Sequence, residues 1–159
     1  MKNKNRQQRR RDKPAAPVSI TCFLSVVKDQ GAIGYGLAVV RGRQLLKIDQ
    51  GAAKGVGVKL ATIEILSAAM KHVPTGTDVT IYTSDFVLKD TINEVRLKTK
   101  EIDPKTAHYS DLLMLKAQLL PYKIRAPIST GATMSETKEN GRLSFSLAKD
   151  AVKKALTSR

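Results

Sequence analysis

The chain has no tryptophan, one cysteine, only seven Phe and Tyr residues among 159, and half as many acidic residues as basic ones. Each shortage excludes something. With aromatics at 4%, a core must be built from Val, Ile, Leu and Ala, and few rings are available to stack on nucleic-acid bases. A lone Cys22 forms no internal disulfide, which fits a reducing, cytoplasmic compartment; within its apolar run it reads as a small buried hydrophobe. No apolar stretch approaches the roughly 20 residues that span a bilayer. No apolar segment directly follows the basic N-terminus, so a secretory signal is not expected.

What the chain has in excess is positive charge. It carries 28 Lys and Arg against 14 Asp and Glu, a net +14. The first thirteen residues hold Lys2, Lys4, Arg6, Arg9, Arg10, Arg11 and Lys13 against Asp12, which gives 7 − 1 = +6 and leaves 14 − 6 = +8 for the rest. This segment has almost nothing to bury and is expected to be disordered when free. Pro14-Ala15-Ala16-Pro17 follows as a stiff spacer. Residues 1–17 therefore read as a basic arm with a Pro linker, and residues 18–159 as one domain, a size that suits a proper core. Such an arm serves as a solubility tail, a targeting signal or a nucleic-acid clamp. In the last case Lys and Arg release counterions from phosphates, and Arg adds bidentate contacts. It lacks the apolar face or acylation signal of a membrane-surface segment. No membrane partner is expected.

Within the domain, residues 20–27 form a nearly continuous apolar, β-branched run, as in a strand covered on both faces. Residues 34–40 and 44–49 give two more strands across tight turns, hence an antiparallel meander. Glycine-rich residues 51–57 lead into a helix with apolar Leu60, Ile63, Leu66, Met70 and Val73. Residues 79–83 form a fourth strand, parallel to an earlier one after the helical crossover. A short helix over 86–92 takes Ser84 or Asp85 as N-cap; residues 93–108 read as a loop or frayed helix. A helix opens at Ser110-Asp111, an edge strand covers 122–127, a polar loop 129–140, and a last helix 143–156.

The order β-β-β-α-β-α-α-β-α resembles the ribonuclease H fold over residues 18–157. The resemblance rests on Gly34-Tyr35-Gly36 in the second strand, Thr62-Ile63-Glu64-Ile65 in the first helix and Ile81-Tyr82-Thr83-Ser84-Asp85 at the end of the fourth strand. Ser110-Asp111-Leu112-Leu113, Tyr122-Lys123-Ile124 and Ser129-Thr130-Gly131-Ala132 extend it. It implies an α/β fold with a five-stranded mixed sheet and helices on both faces. It also implies two-metal phosphodiester hydrolysis, using an Asp of the first strand, a Glu of the first helix, an Asp after the fourth strand and an Asp of the last helix.

Against that pattern the first position falls on Phe23, whose ring cannot ligate Mg²⁺. The second falls on Glu64, the third on Asp85 and the fourth near Phe145 or Ser146, with Asp150 a turn later. The family's histidine after the glycine is missing at Gly131-Ala132. Taken alone, Glu64 also reads as a solvated helix residue and Asp85 as a helix cap. His72 and His108 lack partner spacing and read as surface or satisfied residues. The family's polar residues for RNA 2′-hydroxyls are absent from residues 27–32 and 58–61, although Lys28, Lys54 and Lys59 remain to meet phosphates. The expectation is a non-catalytic nucleic-acid-binding protein with no metal or other cofactor, taking RNA rather than DNA, and with protein partners possible. Two alternatives stay open: an active, Mg- or Mn-dependent ribonuclease H with a rearranged site, and a structural component of a ribonucleoprotein or protein assembly.

Overall fold

The computed structural model describes residues 19–96, 101–126 and 138–157. The basic arm, its Pro linker and residues 127–137, with Gly131-Ala132, lie outside the described residues. Five strands form one sheet in the order β3-β2-β1-β4-β5: β1 (Ser19–Asp29), β2 (Ala32–Arg41), β3 (Gln44–Lys54), β4 (Asp78–Tyr82) and β5 (Lys123–Arg125). β1, β2 and β3 pair antiparallel, whereas β4 runs parallel to β1 and β5 parallel to β4. Helices α1 (Val58–Met70), α2 (Phe86–Arg96) and α3 (Tyr109–Leu119) share one side of the sheet, and α4 (Lys138–Thr157) packs on the other. The expected element order and two-sided covering are therefore present.

Alternation along β1 and β2 builds two unequal cores. Ile20, Cys22 and Leu24 of β1, with Ile33, Leu37 and Val39 of β2, join the core under α1–α3. The intervening row of β2 is Gly34, Gly36, Ala38 and Val40, and α4 lies over it. This row widens from no side chain to a branched one. At its narrow end α4 reaches the β2 backbone: a Cβ on Gly36 would overlap the Ser144 carbonyl oxygen and stand 2.6 Å from the Ala148 amide nitrogen. A Cβ on Gly34 would stand 2.5 Å from Val152 Cγ2. Ser144, Ala148, Ala151 and Val152 are buried along that helix face.

Cys22 is 2% exposed, and burial pushes its thiol pKa up to about 12. Polar ties fasten α1 to its surroundings. Gln118 of α3 donates to the Ser67 carbonyl at 2.9 Å and accepts from its hydroxyl at 2.7 Å. The Tyr122 hydroxyl donates to the Val73 carbonyl at 2.9 Å, just beyond α1. Asp49 of β3 sits between Tyr35 and His72, each 2.8 Å from its Oδ2. Partial burial acts to raise the Asp49 pKa, but the hydrogen bonds from Tyr35 and His72 outweigh it and hold the carboxyl below its ordinary value.

Three boundaries differ most from the sequence expectation, and β5 is shorter than the strand expected over 122–127. β3 continues through Lys54, so Gly51, Ala52 and Ala53 belong to a strand paired with β2. The Tyr35 ring lies against Gly51, close enough that a Cβ there would meet Cε1 at 2.8 Å; this cross-strand contact explains why small residues continue the ladder. α2 runs on to Arg96, because Val95 reaches the main core. α4 begins at Lys138, within the segment expected to be a loop.

Two outcomes follow from this packing. Gly36→Ala should lower stability by about 3 kcal/mol or more through overpacking, whereas Gly57→Ala, where a Cβ meets nothing within 4 Å, should change it by less than about 1 kcal/mol. Urea midpoints compare the two. A carboxyl with a depressed folded-state pKa stabilises above its unfolded pKa, and that contribution is lost as pH falls through the folded value. Acid titrations of stability should thus show wild type losing more than Asp49→Asn below about pH 4.

Candidate nucleic-acid interface

The parallel register of β1 and β4 sets Phe23 beside Tyr82. Their rings stack with centroids 5.5 Å apart and planes 21° apart. Phe23 is 3% exposed and packs with Ala38 and Val40, while Leu143 of α4 and Tyr82 close over it. Two residues on, Ser25 meets Ser144 of α4, Oγ to Oγ, at 2.8 Å. Ser144 donates its own hydroxyl to the Gly141 carbonyl at 3.0 Å, so Ser25 is the donor in the pair. Phe145 is half exposed, and Lys149 Nζ lies 5.4 Å from its ring centroid, a cation–π distance.

Asp85 follows β4 and caps α2. Its Oδ2 accepts the Leu88 N–H at 2.9 Å, and its Oδ1 accepts from Lys28 Nζ at 3.1 Å. Both oxygens are engaged, with the side chain 14% exposed. Glu64 is exposed on α1 and borders a cavity of about 240 Å³ against Tyr35 of β2 and residues 51–53 of β3. Asp85 does not line that cavity. Asp150 binds Lys154 at 2.8 Å and Gln50 at 3.3 Å; these hydrogen bonds, Lys154 first, hold its carboxyl below the ordinary value.

A divalent ion of the Mg²⁺ type needs about six oxygens in near-octahedral array. At the Phe23–Asp85 end of the sheet the described side-chain oxygens include one carboxylate with both oxygens bonded, the Thr83 hydroxyl, which accepts the Asp85 N–H at 3.2 Å, and the Ser25 and Ser144 hydroxyls, bonded to each other. The Phe23 and Tyr82 rings stack at the same end. Among the described residues no three of His, Cys, Asp and Glu come together in a way that could hold a metal. The residues present do not fit the ion pair that the family resemblance implies.

The expected phosphate contacts are placed as follows. Lys28 pairs with Asp85. Lys59 Nζ binds Glu94 at 2.7 Å and the Thr91 hydroxyl at 3.2 Å, joining α1 to α2. Lys54 ends β3 and is also engaged. Lys2, Lys4, Arg6, Arg9, Arg10, Arg11 and Lys13 lie outside the described residues.

A further group of cations gathers at β5 and was not singled out from sequence. Arg96, Lys116, Lys123 and Arg125 border one cavity of about 360 Å³. The alternation Lys123-Ile124-Arg125, with Ile124 packed on the main core, was the available signal. Arg96 gave none, because it stands in a stretch that reads as a loop.

No protein-family model and no curated protein matches the chain. Solved structures do resemble it. The N-terminal ribonuclease H domain of rv2228c from Mycobacterium tuberculosis is 19% identical over 89% of this chain and 98% of that one, with a TM-score of 0.55. A foamy viral protease–reverse transcriptase, solved with double-stranded DNA, is 16% identical over 87% and 95%, with a TM-score of 0.57. Ribonuclease H1 from the halophilic archaeon Halobacterium salinarum is 13% identical over 85% and 98%, with a TM-score of 0.51.

The bonding of Asp85 generates a test. Asp85→Ala removes a helix cap and an ion pair and should cost about 1–2 kcal/mol. Asp85→Asn keeps a capping oxygen and should cost less than about 1 kcal/mol. Denaturant unfolding, with Lys28→Ala completing a double-mutant cycle, separates the two contributions.

Proposed function

The chain has a ribonuclease H-like fold, and we propose that it is a non-catalytic nucleic-acid-binding protein that holds RNA through its basic N-terminal arm and basic domain surface. The observation that carries the reading is Phe23: a buried ring, stacked on Tyr82, occupies the place where the family resemblance calls for the first metal-binding aspartate. Asp85 supports it, because its oxygens already serve Leu88 and Lys28.

The net charge of +14 supports the choice of a polyanionic partner. The foamy viral enzyme of similar fold, solved on double-stranded DNA, supports nucleic acid as that polyanion. The paucity of aromatics favours contact with the backbone over base readout for most of the bound length. The reading includes a cytoplasmic location, supported by the single unpaired cysteine.

Filter binding of the full chain to RNA across about 50–200 mM salt should show a steep fall in affinity. Deleting residues 1–13 removes seven cations and should flatten the log–log salt slope by up to about 5, at roughly 0.7 per single-strand phosphate contact. Binding that ignores salt, or that the deletion leaves unchanged, overturns the role given to the arm. An RNA–DNA hybrid incubated with Mg²⁺ or Mn²⁺ should stay intact. Cleavage that vanishes on Glu64→Gln or Asp85→Asn overturns the non-catalytic reading.

A further inference from the structure

On the α4 side of the sheet, α4 packs over β2, β1 and β3, and among the described residues a hollow lies beyond it toward β5. The parallel register aligns Thr21, Thr80 and Arg125 in one row and Phe23 with Tyr82 in the next. Partners in parallel strands point to the same face, so Arg125 and Tyr82 project together on the side away from Ile124. Thr80, Tyr82, Arg96, Arg125 and Ala126 surround an open hollow of about 410 Å³, toward the small end of ligand-site volumes.

The chemistry of this lining is selective. Two guanidinium groups border the hollow, with no carboxylate among its described lining residues. Arg96 donates to the Ile124 carbonyl at 3.2 Å; that bond anchors the guanidinium at β5 and uses one of its five N–H donors. Arg125 also borders the two neighbouring cavities, one with Lys116 and Lys123, the other with Asp78 on its rim. Tyr82 supplies an aromatic surface that is already backed by Phe23. In a chain with seven Phe and Tyr residues, two of them stack next to a pair of arginines.

We propose that this hollow is a nucleotide site for single-stranded RNA, in which a base stacks on Tyr82 and Arg96 and Arg125 bind the adjoining phosphate. The proposal rests on the RNA-binding reading above and adds where and in which form the RNA is held. Stacking requires an unpaired base whose face can be presented, which a duplex interior does not offer. Forked contacts to phosphate oxygens suit two arginines better than point-charge lysines. An acidic protein segment would satisfy the arginines and leave the tyrosine surface without a planar partner.

The absence of tryptophan from the chain makes the test direct. In the full-length protein Tyr82→Trp is a sole tryptophan, and a short single-stranded RNA should quench its emission with the same midpoint as fluorescence anisotropy of the labelled RNA. The corresponding duplex and a polyglutamate peptide should leave it unquenched. In the otherwise unaltered chain, Tyr82→Leu should weaken single-strand binding by about 10-fold and Tyr82→Phe should restore it. Arg96→Ala and Arg125→Ala should each weaken it by about 5- to 10-fold, and these variants decide the matter if Tyr82→Trp fails to fold. Tight, salt-dependent RNA binding with no quenching and no loss in either arginine variant overturns the site and leaves the RNA-binding reading standing. Equal quenching by duplex or polyglutamate overturns the single-strand assignment. Absence of RNA binding by the wild-type chain overturns both.

Discussion

The seating of α4 on the bare backbone of β2 is the constraint from which the rest of this architecture follows. Gly36 admits the Ser144 carbonyl and the Ala148 amide where any side chain would collide. Helix–sheet packing normally proceeds through interleaved side chains; here one partner contributes none at the point of closest approach. That depth of approach sets Leu143 over Phe23 and Ser144 against Ser25. The same contact therefore stabilises the fold and decides which side chains converge at the end of β1.

What converges there is uncharged or internally neutralised. The two-metal site that the family resemblance implies gathers several carboxylates, whose mutual repulsion opposes folding unless cations are present. In this chain a phenyl–phenol stack, a hydroxyl pair and a lysine–aspartate pair take up that volume. Within the hydroxyl pair and the lysine–aspartate pair, the partners bond to each other and to nearby backbone, with no added ion. Cations gather instead at the β5 edge, where Arg96, Lys116, Lys123 and Arg125 border one cavity.

Much of this was legible in the residues. The meander, the crossover helix and the place of Phe23 follow from two- and 3.6-residue periods and from glycine-centred motifs, because those patterns are set by neighbours in the chain. The continuation of β3 through Ala53 was hidden, since small residues carry little strand propensity and are held by pairing with β2. The partners of Lys28 and Lys59 were hidden for a similar reason: Asp85 lies 57 residues from one, and Glu94 lies 35 from the other. Charge counts show that cations are in excess and cannot show which ones folding neutralises. The β5 cluster depended on Arg96 reaching across from α2 to the Ile124 carbonyl, a tertiary contact with no local signature.

Cys22 has a consequence for how motions of the protein can be observed. It lies in β1, between β2 and β4, at the centre of the five-stranded sheet. Its sulfur is both shielded and held in the unreactive protonated form. Alkylating reagents reach it only in conformers where the core around β1 has opened, whether the helices lift from the sheet or the strands part. As the single thiol of the chain, it is a built-in clock for rare openings of that core, one that fraying at the periphery does not advance.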